Sequence, residues 1–191
     1  SAAHPLRACP GPVRLSRCLP NSARIEAAMG TVFHEFAAIC LEQRLDPQGF
    51  VGAKMTVEGH GQLTFDQEMA DNMLYGLDTL WTLADIDGAK LIVERRVDLN
   101  YWVGKGEFGT TDCAIIDPAN WRIIVFDWKY GQGVPVSPED NDQAILYFLG
   151  TWTTLAQQIF EDYLWAQAEM AGADFDPNVP WEEDIEVVVM I

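Results

Sequence analysis

Between residues 31 and 45 the apolar positions Phe33, Phe36, Ala37, Cys40 and Leu41 recur at the three- and four-residue spacing of one helix face. Thr31 stands where an N-cap would open that helix, which is expected to run towards Leu45. A second stripe, Phe65, Met69, Met73, Leu77, Leu80 and Trp81, follows a capping box of Thr64 and Gln67. Its methionines and aromatics read as core, not as the lining of a cofactor site. Between the two helices, residues 46–63 carry Pro47, four glycines and His60, and read as a mobile connection able to close over an active face.

From residue 91 the apolar residues run together instead. LIVERRVDL reads as a strand, and the runs CAII and RIIVF flank the turn signal Asp117-Pro118-Ala119-Asn120. Residues 106–131 are therefore expected to form an antiparallel hairpin. Helical spacing returns after Ser137-Pro138-Glu139-Asp140, which supplies an N-cap, a proline in the first position and acids in the first turn. That helical region extends towards Ala171, with a kink or break expected at Gly150 and the β-branched run TWTT. The final EEDIEVVVMI is a strand that stops without a cap or turn, so the domain is expected to be truncated at its C-terminus. With 191 residues, 49% of them hydrophobic, the chain is long enough to bury one core. The order of elements predicts a single α/β domain over residues 1–191, a central mixed sheet flanked by helices.

The hairpin brings the first chemistry. If Asp117 faces Arg122 across its loop, Asp112 lies directly opposite Asp127, with Cβ atoms about 5 Å apart. Alternation along the strand then puts Lys129 on the face of Asp127 and Trp128 on the other. Two neighbouring carboxylates repel unless a proton or cation lies between them, and an oxygen-preferring ion such as Mg²⁺ or Mn²⁺ answers that need. A lysine beside such an ion can orient or deprotonate water and offset charge on a pentavalent phosphate. Hydrolysis of a phosphodiester is the chemistry this arrangement points to.

Taken alone, Asp-x-Lys is better explained by two solvated neighbours. Glycines in FGTTD and FDWKYGQGVPV, on both sides of the carboxylates, favour a site that backbone can approach closely. His34 sits beside the first helical stripe and by pattern alone is a hydrogen-bonded boundary residue. Glu35, about 100° around the helix, reads as solvated. Gln143 and Tyr147, four apart, share one helix face.

The segments CPGPVRLS, MGTVFHE, the GTTD strand, FDWKYGQGVPV and NDQAILYFLG span almost the whole chain. In that order they resemble the RecB-like phage and prophage exonucleases of the PD-(D/E)XK nuclease superfamily. The resemblance implies a restriction-endonuclease-like core and a Mg²⁺- or Mn²⁺-dependent deoxyribonuclease, an exonuclease of phage or prophage recombination with DNA as its partner. It implies His34, Asp112, Asp127 and the Trp128 carbonyl as metal ligands, and Lys129 as the catalytic lysine acting with the two aspartates. Gln143 and Tyr147 match the family's substrate-contacting Gln and Tyr, and Glu94 matches an acid that in several relatives supports the metal site. Asp127 stands where many relatives have Glu, and the shorter side chain should shift the ion without abolishing its binding. Some relatives hold an iron–sulfur cluster with one early and three late cysteines. No cysteine follows Cys113 here, so no iron–sulfur cluster is expected. Cys9, Cys18, Cys40 and Cys113 lack a C-x-x-C pair and read as reduced thiols.

Charge opposes this reading. The net charge is −17, all 12 Lys and Arg lie before residue 130, and a polyanion would be repelled. A DNA-facing surface must draw on Arg14, Arg17, Arg24, Lys54, Arg95, Arg96, Lys105 and Arg122, or on a recombination partner or second copy of the chain. Two alternatives stay open: a catalytically silent nuclease fold serving as an interaction module, and an acidic scaffold binding a DNA-processing partner. No run of apolar residues reaches a membrane-spanning length and no secretory signal is visible, so no membrane partner is expected. The expected location is the cytoplasm of a bacterial or phage-infected host cell.

Overall fold

A computed structural model of the chain describes residues 25–130, 137, 141–176 and 185–190. The chain folds as two compact units, one drawn from residues 1–82, 128–143 and 191, the other from 83–127 and 144–190.

In the first unit the apolar stripe forms α1 (Ile25–Gln43), which buries Val32, Phe33, Phe36, Ala37, Cys40 and Leu41. Thr31 does not open this helix. The stripe continues upstream through buried Ala28, and the Thr31 hydroxyl donates back to the Ala27 carbonyl at 3.2 Å. The segment expected to be mobile is ordered. Asp46 accepts the Gln48 N–H at 2.9 Å and caps a 3₁₀ turn over Pro47–Phe50. A hairpin of β1 (Lys54–Val57) and β2 (Gly61–Thr64) follows, with Lys54 opposite Thr64. The rings of Phe50 and Phe65 hold the ends of this segment against Phe36, at 5.3 and 4.6 Å between centroids.

Helix α2 (Gln67–Ala84) opens on Asp66, whose carboxylate accepts the Met69 N–H at 2.9 Å. Thr64 is committed to β2, so the expected capping box with Gln67 does not form. Gln67 instead donates to Gln48 and Asp71. Phe65, Met69, Met73, Leu77 and Leu80 of the expected stripe are wholly buried, as their spacing predicts, while Trp81 is only partly buried.

The second unit is built on a four-stranded sheet in the order β3 (Lys90–Asp98), β4 (Phe108–Asp117), β5 (Arg122–Phe126) and β6 (Glu186–Met190). The first two pairings are antiparallel and the last is parallel. Asp117 closes the β4–β5 turn by accepting from Asn120 and pairing with Arg122 at 3.1 Å. After it come α3 (Asp142–Thr151), a π-helical turn over Trp152–Ala156, and α4 (Gln157–Ala171). The π turn falls on the TWTT run, where a break was expected. Asn141, rather than Ser137, caps α3 by accepting the Gln143 N–H at 3.0 Å, because the helix starts after the proline; Pro138, Glu139 and Asp140 lie outside the described residues.

Ile116, Ile123 and Val125 form a core with Ala156 and Phe160, so these helices cover the sheet. Gly109 and Gly150 permit the approach. A Cβ on Gly109 would lie 2.8 Å from a ring carbon of Tyr147, and one on Gly150 would lie 2.8 Å from Val97 Cγ2. The result is a mixed α/β fold, a central mixed sheet with flanking helices, compatible with a restriction-endonuclease-like core. Among the described residues no helix is long and apolar enough to cross a membrane.

Candidate metal centre

Strands β4 and β5 pair Asp117 with Arg122 and Cys113 with Phe126, the register expected from the turn. Carried one residue further, that register sets Asp112 across from Asp127. Asp127 lies just past β5 but stays tied to the sheet, its N–H donating to the Met190 carbonyl at 3.0 Å. Asp112 is 7% and Asp127 4% exposed. Burying two carboxylates side by side is costly unless donors, a proton or a cation compensate them.

A third acid joins from β3. The pairs Val93 with Cys113 and Arg95 with Thr111 bracket Glu94, which falls across from Asp112. Glu94 adopts φ of 43°, a left-handed backbone that a glutamate seldom takes and that costs on the order of 1–3 kcal/mol. Strain of this kind in mid-strand turns the side chain away from the course the strand would give it. Glu94, Asp112 and Asp127 thus form a row across three neighbouring strands.

Within the second unit, Glu94 and Asp112 each offer a carboxylate oxygen, the two within 4.8 Å of one another. Ligands that share one ion at about 2.1 Å lie at most roughly 4.2 Å apart, so a small contraction suits this set to a divalent cation. His34 stands half-buried on α1 of the first unit, its ring edge to face with Phe33 at 6.5 Å between centroids. Among the described residues of the second unit this carboxylate pair is metal-capable, and Asp127 is not grouped with it.

The remaining expected residues are less gathered. Trp128 is buried against Phe33 at 5.5 Å between centroids, and Tyr130 stacks on the same ring at 4.6 Å. β5 ends at Phe126, so the alternation expected to carry Lys129 onto the face of Asp127 stops short of it. Lys129 is exposed, three residues past the end of β5. Gln143 follows the Asn141 cap in the first turn of α3. Tyr147 packs its ring against Gly109 and the edge of the sheet core.

Glu94 is the acid whose placement across from Asp112 pattern reading could not give. Its partner on β4 depends on the length of the β3–β4 loop, which no turn signal reveals. Of the basic residues expected to face DNA, Arg122 is engaged by Asp117, and Arg14, Arg17 and Arg24 lie outside the described residues. Burial, with Asp112 beside it, pushes the Cys113 thiol up to about 12, and burial with Asp46 nearby pushes Cys40 up to about 11. Both thiols are protonated at neutral pH and are poor ligands or nucleophiles. Cys9 and Cys18 lie outside the described residues.

A family model described as "Protein of unknown function (DUF2800)" matches residues 1–161. No solved structure matches the chain.

Proposed function

The chain belongs to the DUF2800 family, and for it we propose a divalent-metal-dependent nuclease that hydrolyses phosphodiester bonds in DNA, of the exonuclease type. The observation that supports this reading best is the buried Asp112 across from Asp127, with Glu94 completing the row. Side-by-side buried acids are stable sinks for a hard cation and a poor choice for a merely structural sheet.

Glu94 and Asp112 would hold Mg²⁺ or Mn²⁺ together with Asp127, across from Asp112 by register, and with His34 and the Trp128 carbonyl as the further ligands that the resemblance to RecB-like nucleases implies. Such an ion, when bound, polarises a phosphoryl oxygen and acidifies water. Lys129 would place positive charge on the reacting phosphate, and Gln143 and Tyr147 would orient the substrate, roles carried by the resemblance to RecB-like nucleases. Work in phage or prophage recombination follows from the same resemblance.

Calorimetric titration with Mn²⁺ tests the centre, and end-labelled linear and covalently closed circular DNA test the reaction. Saturable Mn²⁺ binding that Asp112→Ala abolishes is expected, with loss of linear DNA and not of circles. Lys129→Ala should keep the ion and lose cleavage. Absence of saturable binding, or binding unchanged in Asp112→Ala, sinks the enzyme reading. The net charge of −17 favours a second reading, an acidic scaffold or silent nuclease fold that binds a DNA-processing partner. That reading predicts competition between this chain and DNA for the partner, with no cleavage in Mn²⁺.

A further inference from the structure

The β3–β4 hairpin of the second unit carries a group of aromatic and basic side chains turned to solvent. Tyr101 is 85%, Trp102 40% and Phe108 53% exposed. Tyr101 and Trp102 meet edge to face at 4.7 Å, and the Arg96 guanidinium lies 3.6 Å above the Phe108 ring centroid. Such rings bury on the order of 150–250 Å² each when covered, so leaving them wet forgoes stabilisation the fold could otherwise use. The loop that presents them is held in place. Asn100 donates its N–H to Asp98 and accepts from Gly106 N–H, and Leu99 N–H reaches the Glu107 carbonyl at 3.2 Å.

Beside the hairpin runs an open cavity of about 590 Å³, lined by Arg95, Arg96, Asn100, Phe108 and Thr154, and reaching Glu94. It therefore joins a member of the carboxylate row to the exposed Phe108 ring. Arg96 is two residues along the strand from Glu94, about 7 Å. Asp98 and Glu107 also line it, so the cavity is no simple anion trap. Hydrogen bonds from Asn100 keep the Asp98 carboxyl below its ordinary range, so its negative charge persists.

We propose that this cavity and the hairpin rings receive the unpaired bases of a single-stranded nucleic acid. The inference rests on the nuclease reading for what lies at the Glu94 end. Base stacking on aromatic rings and on a guanidinium plane does not depend on a positive surface. An acidic chain can hold a strand by its bases while Arg95, Arg96 and Lys105, three of its 12 Lys and Arg, meet the backbone. Duplex DNA, with its bases already stacked, offers the rings nothing.

Fluorescence anisotropy of a labelled dodecameric oligo(dT), with Ca²⁺ in place of Mn²⁺ and the whole chain, tests the proposal. Oligo(rU) and a blunt duplex of the same length form the comparison arms. Phe108→Ala and Trp102→Ala are each expected to weaken single-strand binding roughly 5- to 150-fold. Arg96→Gln should weaken it and flatten its salt dependence. Tyr75→Ala, which removes an equally exposed ring from α2, should leave binding unchanged, and thermal midpoints should stay level. The comparison of oligo(dT) with oligo(rU) identifies which strand chemistry the rings accept. Single-strand affinity indifferent to all three hairpin variants, preference for the duplex, or no binding of any oligonucleotide overturns it. Stacking that responds to the variants without cleavage in Mn²⁺ would remove the nuclease reading and leave the hairpin's role standing; cleavage that survives them with unaltered binding would do the reverse.

Discussion

Glu94 is where local conformation and charge conflict most. A glutamate at φ of 43°, across from a buried aspartate, pays backbone strain, and repulsion as well wherever donors or a cation do not offset it. Asn tolerates the left-handed region and carries no charge, so Glu94→Asn should raise the metal-free thermal stability by about 1 kcal/mol. The same change should remove the stabilisation that Mn²⁺ gives the wild type, about 2.7 kcal/mol at a hundred times the dissociation constant. Scanning both proteins with and without Mn²⁺ checks this. An equal rise in the variant would show that Glu94 is no ligand. The neighbouring Asp112 was legible from the hairpin alone, since a short turn with Asp117 facing Arg122 leaves one register. Thr31 was misread because its own hydroxyl satisfies a carbonyl inside the helix, something spacing cannot reveal.

At the scale of elements, α3 lies unusually close to β3 because Gly150 has no side chain. Two effects of Gly150→Ala oppose each other. Helix propensity favours alanine by up to about 1 kcal/mol, whereas forcing a methyl to 2.8 Å from Val97 Cγ2 and 2.9 Å from Leu99 Cδ2 costs on the order of 1–3 kcal/mol. Packing should win, lowering the thermal midpoint by several degrees. Adding Val97→Ala should return part of the loss, a coupling that a double-mutant cycle measures. Additive effects would place the clash elsewhere. Neither glycine contact was readable beforehand. Gly150 reads as a helix breaker in a β-branched run, yet it lies within α3 and the irregularity comes after it as the π turn at Trp152–Ala156, while its contact with β3 lies far along the chain.

For the whole molecule, −17 charges on 191 residues are a repulsive load that a folded state concentrates. Raising ionic strength from ~0.01 to ~1 M shortens the Debye length from about 30 to about 3 Å. The thermal midpoint should therefore rise with NaCl, and Mn²⁺ should produce its increment at concentrations far below those of NaCl. A midpoint indifferent to salt would mean that the acids are already compensated pair by pair. The same load explains why a nucleic-acid ligand of this chain should be held by stacking and metal rather than by phosphate contacts alone.

Sequence alone determined what short-range chemistry determines: the two buried helix stripes, the β4–β5 turn with its register, the strand at Glu186–Met190 and the irregular turn at TWTT. In each, the deciding interactions lie within about a turn of helix or a few residues of hairpin, so pattern and geometry coincide. Tertiary structure decided the rest. Residues 46–63 became ordered because distant rings at Phe36 and Phe65 anchor them, and the parallel β5–β6 pair joins strands far apart in the chain. Glu94 joined the carboxylate row because the β3–β4 register depends on a long loop whose closure no local signal encodes. Lys129 lies past the end of β5, and Trp128 before it packs on Phe33, a residue far away in the chain. Charges and ligands gather through contacts of that kind, whose partners are distant in sequence and near only once the chain has folded.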